Sequence, residues 1–169
     1  MLELKVKHLT SETARVRCVE LVAADGGELP AFTAGAHIDL ALGEDLTRSY
    51  SLLNDPHETH RYVLGVLREA ESTGGSAFIH DSLREGDVLQ CSAPLNDFPL
   101  YEAGDANILI AGGIGVTPIM SMAARLQALG KAYDLHYCAR SADDAAFLSA
   151  LKERHGERLH THFDGGDPA

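Results

Sequence analysis

The sequence predicts an all-β antiparallel Greek-key barrel followed by a partial α/β domain. Three observations carry that prediction. From residue 1 to about residue 100, apolar and polar side chains alternate with period two in short runs. After Leu100 the pattern changes to a continuous apolar run ending in glycines, which reads as a buried parallel strand. The remaining elements then follow the order β-α-β-α-β, which is one half of an open, doubly wound sheet.

The elements can be justified in chain order. In LELKVKH, Leu2, Leu4 and Val6 alternate with charged residues, and in ARVRCVEL, Val16 and Cys18 alternate with Arg15 and Arg17. AHIDLAL, RYVLGVLR and DVLQCSA repeat the pattern, and a further strand is expected to end at RSYS. DGGELP, LGED, NDPHE and REGD supply turns. One short helix is expected over residues 76–83, where Phe78, Ile79, Ser82 and Leu83 fall at helical spacing. Many short strands with one small helix suggest a small barrel. Past the YEAGD boundary, NILIAGG is the buried strand, and a helix with Ile119, Met122, Leu126 and Leu129 on one face stops at Gly130. YDLHYC, a helix over residues 143–155 and the strand RLHTHF complete the series, before GGDPA. The expected division is 1–102 and 103–169. A complete doubly wound unit wants about two more strands, so the chain reads as a fragment of one.

Composition narrows the function classes. Hydrophobic residues make up 45% and charged residues 23%, which suits a packed globular chain. No stretch approaches the roughly 18 to 20 apolar residues of a membrane helix. The opening MLELKVKHLTSE does not read as a signal peptide, so a cytoplasmic protein is expected. The net charge of -11 opposes binding to nucleic acids and anionic membranes. Cys18, Cys91 and Cys138 are scattered and match no metal or iron–sulfur spacing; all three read as small strand hydrophobes. His160 and His162 share a strand face, but no third ligand is near in sequence, and no metal site is expected.

Three segments carry candidate chemistry. Gly112-Gly113-Ile114-Gly115-Val116-Thr117-Pro118 joins the buried strand to the amphipathic helix. Glycines there let a pyrophosphate approach the backbone, and the helix start offers free N–H groups. Pro118 in the first turn loses no intrahelical hydrogen bond. The plain alternative is a structural turn. In Arg48-Ser49-Tyr50-Ser51-Leu52, period two puts Arg48 and Tyr50 on one face. That pair suits a phosphate and a flat ring, or simply a surface strand. Thr73-Gly74-Gly75-Ser76 precedes the short helix and offers either a phosphate turn or an ordinary serine cap.

Taken in order, RSYSLL, TGGSAFIHDSLREGD, CSAPLNDFPL and ILIAGGIGVTPIMSMA closely resemble the ferredoxin reductase-like flavoprotein family, of the phthalate dioxygenase reductase and vanillate O-demethylase reductase type. The resemblance runs through essentially the whole chain. It implies a flavin-binding barrel over 1–102 and the first half of an NAD(P)-binding domain over 103–169. It implies that Arg48 meets the flavin phosphate, that Tyr50 packs on the isoalloxazine, and that Ser51 lies near flavin N5, with Leu52 following in the motif. Tyr50 and Ser51 are thereby the candidate catalytic residues. Val66 and Leu67 would border the ring and ribityl chain. Arg68, Gly74, Gly75 and Ser76 would serve the phosphate. Gly112, Gly113, Gly115, Val116, Thr117 and Pro118 would form the dinucleotide pyrophosphate loop, with Arg140 and Ser141 near the adenine ribose. Phe98 would lie near the domain junction, as a core aromatic or a cofactor contact.

The implied cofactors are FMN, with FAD as the alternative, and NADH, with NADPH as the alternative. The implied partner is an oxygenase component or another iron–sulfur electron acceptor. The family's later cysteine-glycine segment and its [2Fe–2S] domain are not in this sequence. The remaining alternatives are a flavin-binding fragment without turnover and a binding module that has lost its flavin.

Overall fold

The computed structural model describes residues 1–43 and 45–165. The expected LGED turn therefore falls partly, and residues 166–169 wholly, outside the described residues. The barrel contains β1 (Leu2–Ser11), β2 (Val16–Ala23), β3 (His37–Gly43), β4 (Leu46–Ser51), β5 (Tyr62–Leu67) and β6 (Val88–Cys91), with α1 (Gly75–Asp81) between β5 and β6. The sheet order is β4-β3-β6-β1-β2-β5. The outer strands β4 and β5 approach each other through the antiparallel bridge between Leu52 and Leu64, so the sheet nearly closes on itself. β3, β4 and β5 are thus successive neighbours, and β6 returns by a long connection to lie beside β3. That is the Greek-key order.

Alternation explains the closure. Leu4 and Val6 of β1, Val19 and Leu21 of β2, Ile38 and Leu40 of β3 and Leu64 and Val66 of β5 are all buried. They join Tyr62, Ile79 and Leu83 in one core drawn from residues 4–91. The Tyr62 hydroxyl donates to the Pro30 carbonyl at 2.6 Å, so its polar end is satisfied inside that core.

β7 (Ala106–Gly112), β8 (Ala132–Ala139) and β9 (Leu159–Phe163) form a parallel sheet in that order. α2 (Val116–Ala128) packs on one face of it. Gly130, at φ +66°, ends α2 in a Schellman turn: its N–H donates to Gln127 O and the Lys131 N–H to Leu126 O, both at 3.0 Å. Ile108 and Ile110 of β7 point the other way and are 70% and 68% exposed.

The second core is shared between the two sheets. Val16, Ala34, Leu53 and Val63 from the barrel pack with Val116, Ile119, Met122 and Leu135. One buried hydrogen bond joins them: the Gly35 N–H donates to Ser121 Oγ at 3.1 Å, and that hydroxyl donates to Pro118 O at 2.9 Å. A Cβ at Gly35 would run into the carbonyl of Phe98, and Gly35 sits at φ +95°.

Four sequence expectations are corrected. β7, expected as a buried strand, is covered on one face only, since Ile108 and Ile110 are exposed. The helix expected over residues 143–155 is α3 (Leu148–His155). Phe147 takes a left-handed φ of 62°, and the Ala146 carbonyl accepts from Tyr137 Oη at 3.2 Å, which ties the preceding stretch into a turn. Cys138 is exposed rather than a buried hydrophobe. The Phe98 side chain is 57% exposed and does not lie in either core. No helix among the described residues is long and apolar enough to cross a membrane.

Candidate functional site

A cleft of about 500 Å³ opens where β4, β5 and the glycine-rich turn before α2 meet. Its size falls in the usual range for small-ligand sites. Arg48, Tyr50 and Ser51 line it from β4, Val66 and Leu67 from β5, and Gly75 and Ser76 from the start of α1. Gly115, Thr117 and Pro118 close it from the α/β side. Ten of the sequence-predicted positions are thus brought to one place, although they come from four separated segments.

Each wall has a local cause. The extended backbone of β4 puts Arg48 and Tyr50 on the side that faces α1. Burial pushes the Tyr50 phenol above its ordinary pKa, and nearby Arg48 offsets part of that, so the hydroxyl remains protonated near neutrality. Gly75 lies directly under these side chains: a Cβ there would stand 2.6 Å from Arg48 Cγ and 3.3 Å from Tyr50 Oη. Ser72 Oγ accepts from the N–H groups of Gly74 and Ala77 at 3.2 and 3.3 Å and from Ser76 Oγ at 3.0 Å, which holds the loop against α1. Thr117 is buried, and its hydroxyl donates to Ile114 O at 3.1 Å, bracing the glycine-rich turn.

The other predicted positions lie elsewhere. Leu52 and Val116 are fully buried in the first and second cores. Arg68 pairs with Asp81 at 2.8 Å, outside the cleft lining. Gly74 precedes α1 at φ +107°, and a Cβ there would stand 3.2 Å from Leu46 Cδ2. Gly112 ends β7 in register with Cys138. Gly113 turns to a second hollow at the carboxyl ends of β7, β8 and β9, shared with Cys138, Arg140, His162 and Phe163. Ser141 is taken up by its own turn, donating to Asp144 Oδ2 at 2.8 Å. The glycine-rich turn therefore stands between two hollows. The carboxyl ends of parallel strands are where such sheets bind ligands.

Sequence reading missed Gly65, Glu69, Glu71 and Ser72, all of which line the first cleft, while Thr73 and Ile114 fell inside candidate segments without a role of their own. Gly65 did carry a signal, because a glycine inside a strand marks close approach. A Cβ there would stand 2.8 Å from Thr117 Cγ2 and 2.9 Å from Phe147 Cε2. The loop over residues 69–73 has no periodicity to read. His160 and His162 do gather with His136, whose Nδ1 lies 3.0 Å from His162 Nε2, while His160 pairs with Asp134. Among the described residues, no group of three or more metal-ligating side chains is disposed to hold an ion.

Comparison with known proteins bears on this arrangement. No protein-family model matches the chain. It is 44% identical over 169 residues to the reductase subunit of tert-butanol monooxygenase / tert-amyl alcohol desaturase of Aquincola tertiaricarbonis, covering 99% of this chain and 50% of that protein. It is 47% identical over 150 residues to the vanillate O-demethylase oxidoreductase of Acinetobacter baylyi, covering 89% of this chain and 47% of that protein. The solved structure of phthalate dioxygenase reductase, described as modular for electron transfer from pyridine nucleotides to [2Fe–2S], superposes with a TM-score of 0.94 at 38% identity. It covers 99% of this chain and 53% of that one.

The chain matches, at the level of the family, reductases of the phthalate dioxygenase and vanillate O-demethylase type over most of its length. Members of the phthalate dioxygenase reductase type are flavin- and nicotinamide-dinucleotide-binding reductases. The chain spans about half the length of the curated relatives it matches. In this chain the barrel seam supplies the first cleft, and the second hollow lies across the glycine-rich turn.

Proposed function

We propose that the first cleft holds FMN and that the chain accepts hydride from NADH, for onward transfer to an iron–sulfur centre or oxygenase component. The observation that carries this reading is convergence. Residues 48–51, 65–67 and 72–76 of the barrel and the turn before α2 line a single cleft. In this reading residues 1–102 are the flavin-binding unit and residues 103–169 the first part of the dinucleotide-binding unit.

A bound flavin supplies two-electron acceptance and one-electron release. The chain's own residues bind and orient. Arg48 is the one cation among the described residues that line the cleft, and it serves the phosphate. Gly75 leaves room for the arginine stem, and Ser76 adds a hydroxyl beside it. The Tyr50 ring would pack on the flat heterocycle, and Ser51 would offer it a hydroxyl. Gly115, Thr117 and Pro118 form the opposite wall, over which a nicotinamide ring would enter. Gly113 and Arg140 would then take the adenosine end in the second hollow. Arg140 is a single exposed cation there, and NADH is preferred over NADPH.

FMN is preferred to FAD on charge. The other ionic side chains lining the cleft are Glu69 and Glu71, so a second phosphate would meet carboxylates rather than a second cation. Because the chain spans about half of its relatives, a flavin-binding piece without turnover is the second reading. An anaerobic absorbance scan of the purified chain with flavin, before and after NADH, separates the cases. Yellow flavin bands bleached by NADH support the reductase reading. Bands that persist support the second reading, and no flavin uptake refutes both. Chromatography of the released flavin decides between FMN and FAD.

A further inference from the structure

Arg48 is held before any ligand arrives. Its Nη2 donates to Thr73 Oγ1 at 2.6 Å and reaches Thr73 O at 3.3 Å, while Nη1 donates to Thr47 O at 2.7 Å. Its stem crosses Gly75, where a Cβ would stand 2.6 Å from Arg48 Cγ. The Nε–H takes no part in these three contacts, so the guanidinium keeps a donor for an incoming anion. Thr73 itself is exposed and belongs to neither core. Its hydroxyl is engaged by Arg48.

The neighbours explain why a tether matters. Glu69 and Glu71 line the same cleft, so the guanidinium shares it with two carboxylate side chains. A free arginine also loses considerable rotamer freedom when it grips a phosphate. Fixing it beforehand lowers the cost of binding. We infer that Thr73 is a positioning residue for Arg48, and that through Arg48 it sets the preference of the cleft for a phosphorylated flavin over riboflavin. The inference rests on the flavin reading of the cleft. Thr73 need not touch the phosphate. It aims the group that does.

The test is a titration of FMN and of riboflavin into the flavin-free chain, followed by quenching of flavin fluorescence. Wild type, Thr73→Val, Thr73→Ser, Arg48→Ala and the Arg48→Ala/Thr73→Val double variant are compared. Wild type binds FMN more tightly than riboflavin. Thr73→Val weakens FMN about fivefold to tenfold, the usual net cost of one hydrogen bond, and leaves riboflavin unchanged. Thr73→Ser restores FMN binding. In the Arg48→Ala background, Thr73→Val costs nothing further, as expected for residues that act as one unit. The inference alone is overturned if Thr73→Val leaves FMN binding intact, weakens both ligands equally, is not rescued by serine, or costs as much without Arg48. A wild-type chain that binds neither flavin overturns the flavin reading, and the inference falls with it.

Discussion

His155 sits at the end of α3 with 7% of its surface exposed, and its Nδ1 is 2.7 Å from Tyr133 Oη. Burial pushes its pKa down from 6.5 to about 4, and the positive charges of Arg154 and Arg158 add to that. The folded value is therefore the lower one. As pH falls, the unfolded chain takes up this proton first, so stability is fully present above about 6.5 and drains toward 4. Urea midpoints measured from pH 7 to pH 4.5 should fall, and His155→Gln should flatten that slope. An unchanged slope in the variant would remove His155 from the account. The carboxylates of Glu20 and Asp55 act in a lower window. Burial raises each, but hydrogen bonds from Lys7 and Arg61 and from His57 outweigh it and hold both below their ordinary values of 4.5 and 3.8. At this scale the sequence was legible where chemistry is local. Gly75 was readable as a turn residue, but its place beneath Arg48 was not, because the two lie 27 positions apart in the chain.

Elements were more legible than their ends. Alternation and helical spacing located the nine strands and three α-helices of the described residues, most of which have a buried face. α3 shows the limit of that signal. Ala145, Ala146 and Phe147 are all buried, yet they lie in a turn that buries them as well as a helix would. Periodicity reports burial and cannot see that Tyr137 claims the Ala146 carbonyl. The meeting of β5 with α2 was also out of reach, since it depends on a glycine whose neighbours come from distant segments. Gly65 lets Thr117 and Phe147 close onto β5. Gly65→Val should overpack this contact and cost about 1–3 kcal/mol in chemical denaturation. It should also push the turn before α2 away from the cleft wall. A variant as stable as wild type would show that Thr117 and Phe147 move aside freely.

For the whole molecule, the change of period near residues 101–105 was plain in the sequence, but the joint between barrel and sheet was not. Val16, Ala34, Leu53 and Val63 look like ordinary barrel residues, yet they belong to the second core. Gly35 and Ser121 add a buried hydrogen bond to the same contact. Nothing local in the chain distinguishes an apolar side chain that points into the barrel from one that points out against a helix.

The barrel's seam has a dynamic consequence. Just beyond β4, Leu52 bridges Leu64, and the Leu53 N–H donates to Val63 O at 3.0 Å. Few contacts hold that line, so its amides should open by local fluctuation more readily than those between β1 and β2. The first cleft lies along the same line, and whatever fills it touches both strands. Saturating the cleft should therefore slow deuterium uptake at Leu53 and its neighbours, while the β1–β2 hairpin remains as it was. Hydrogen exchange would in that way report occupancy from the protein's side alone, whether or not the occupant absorbs light.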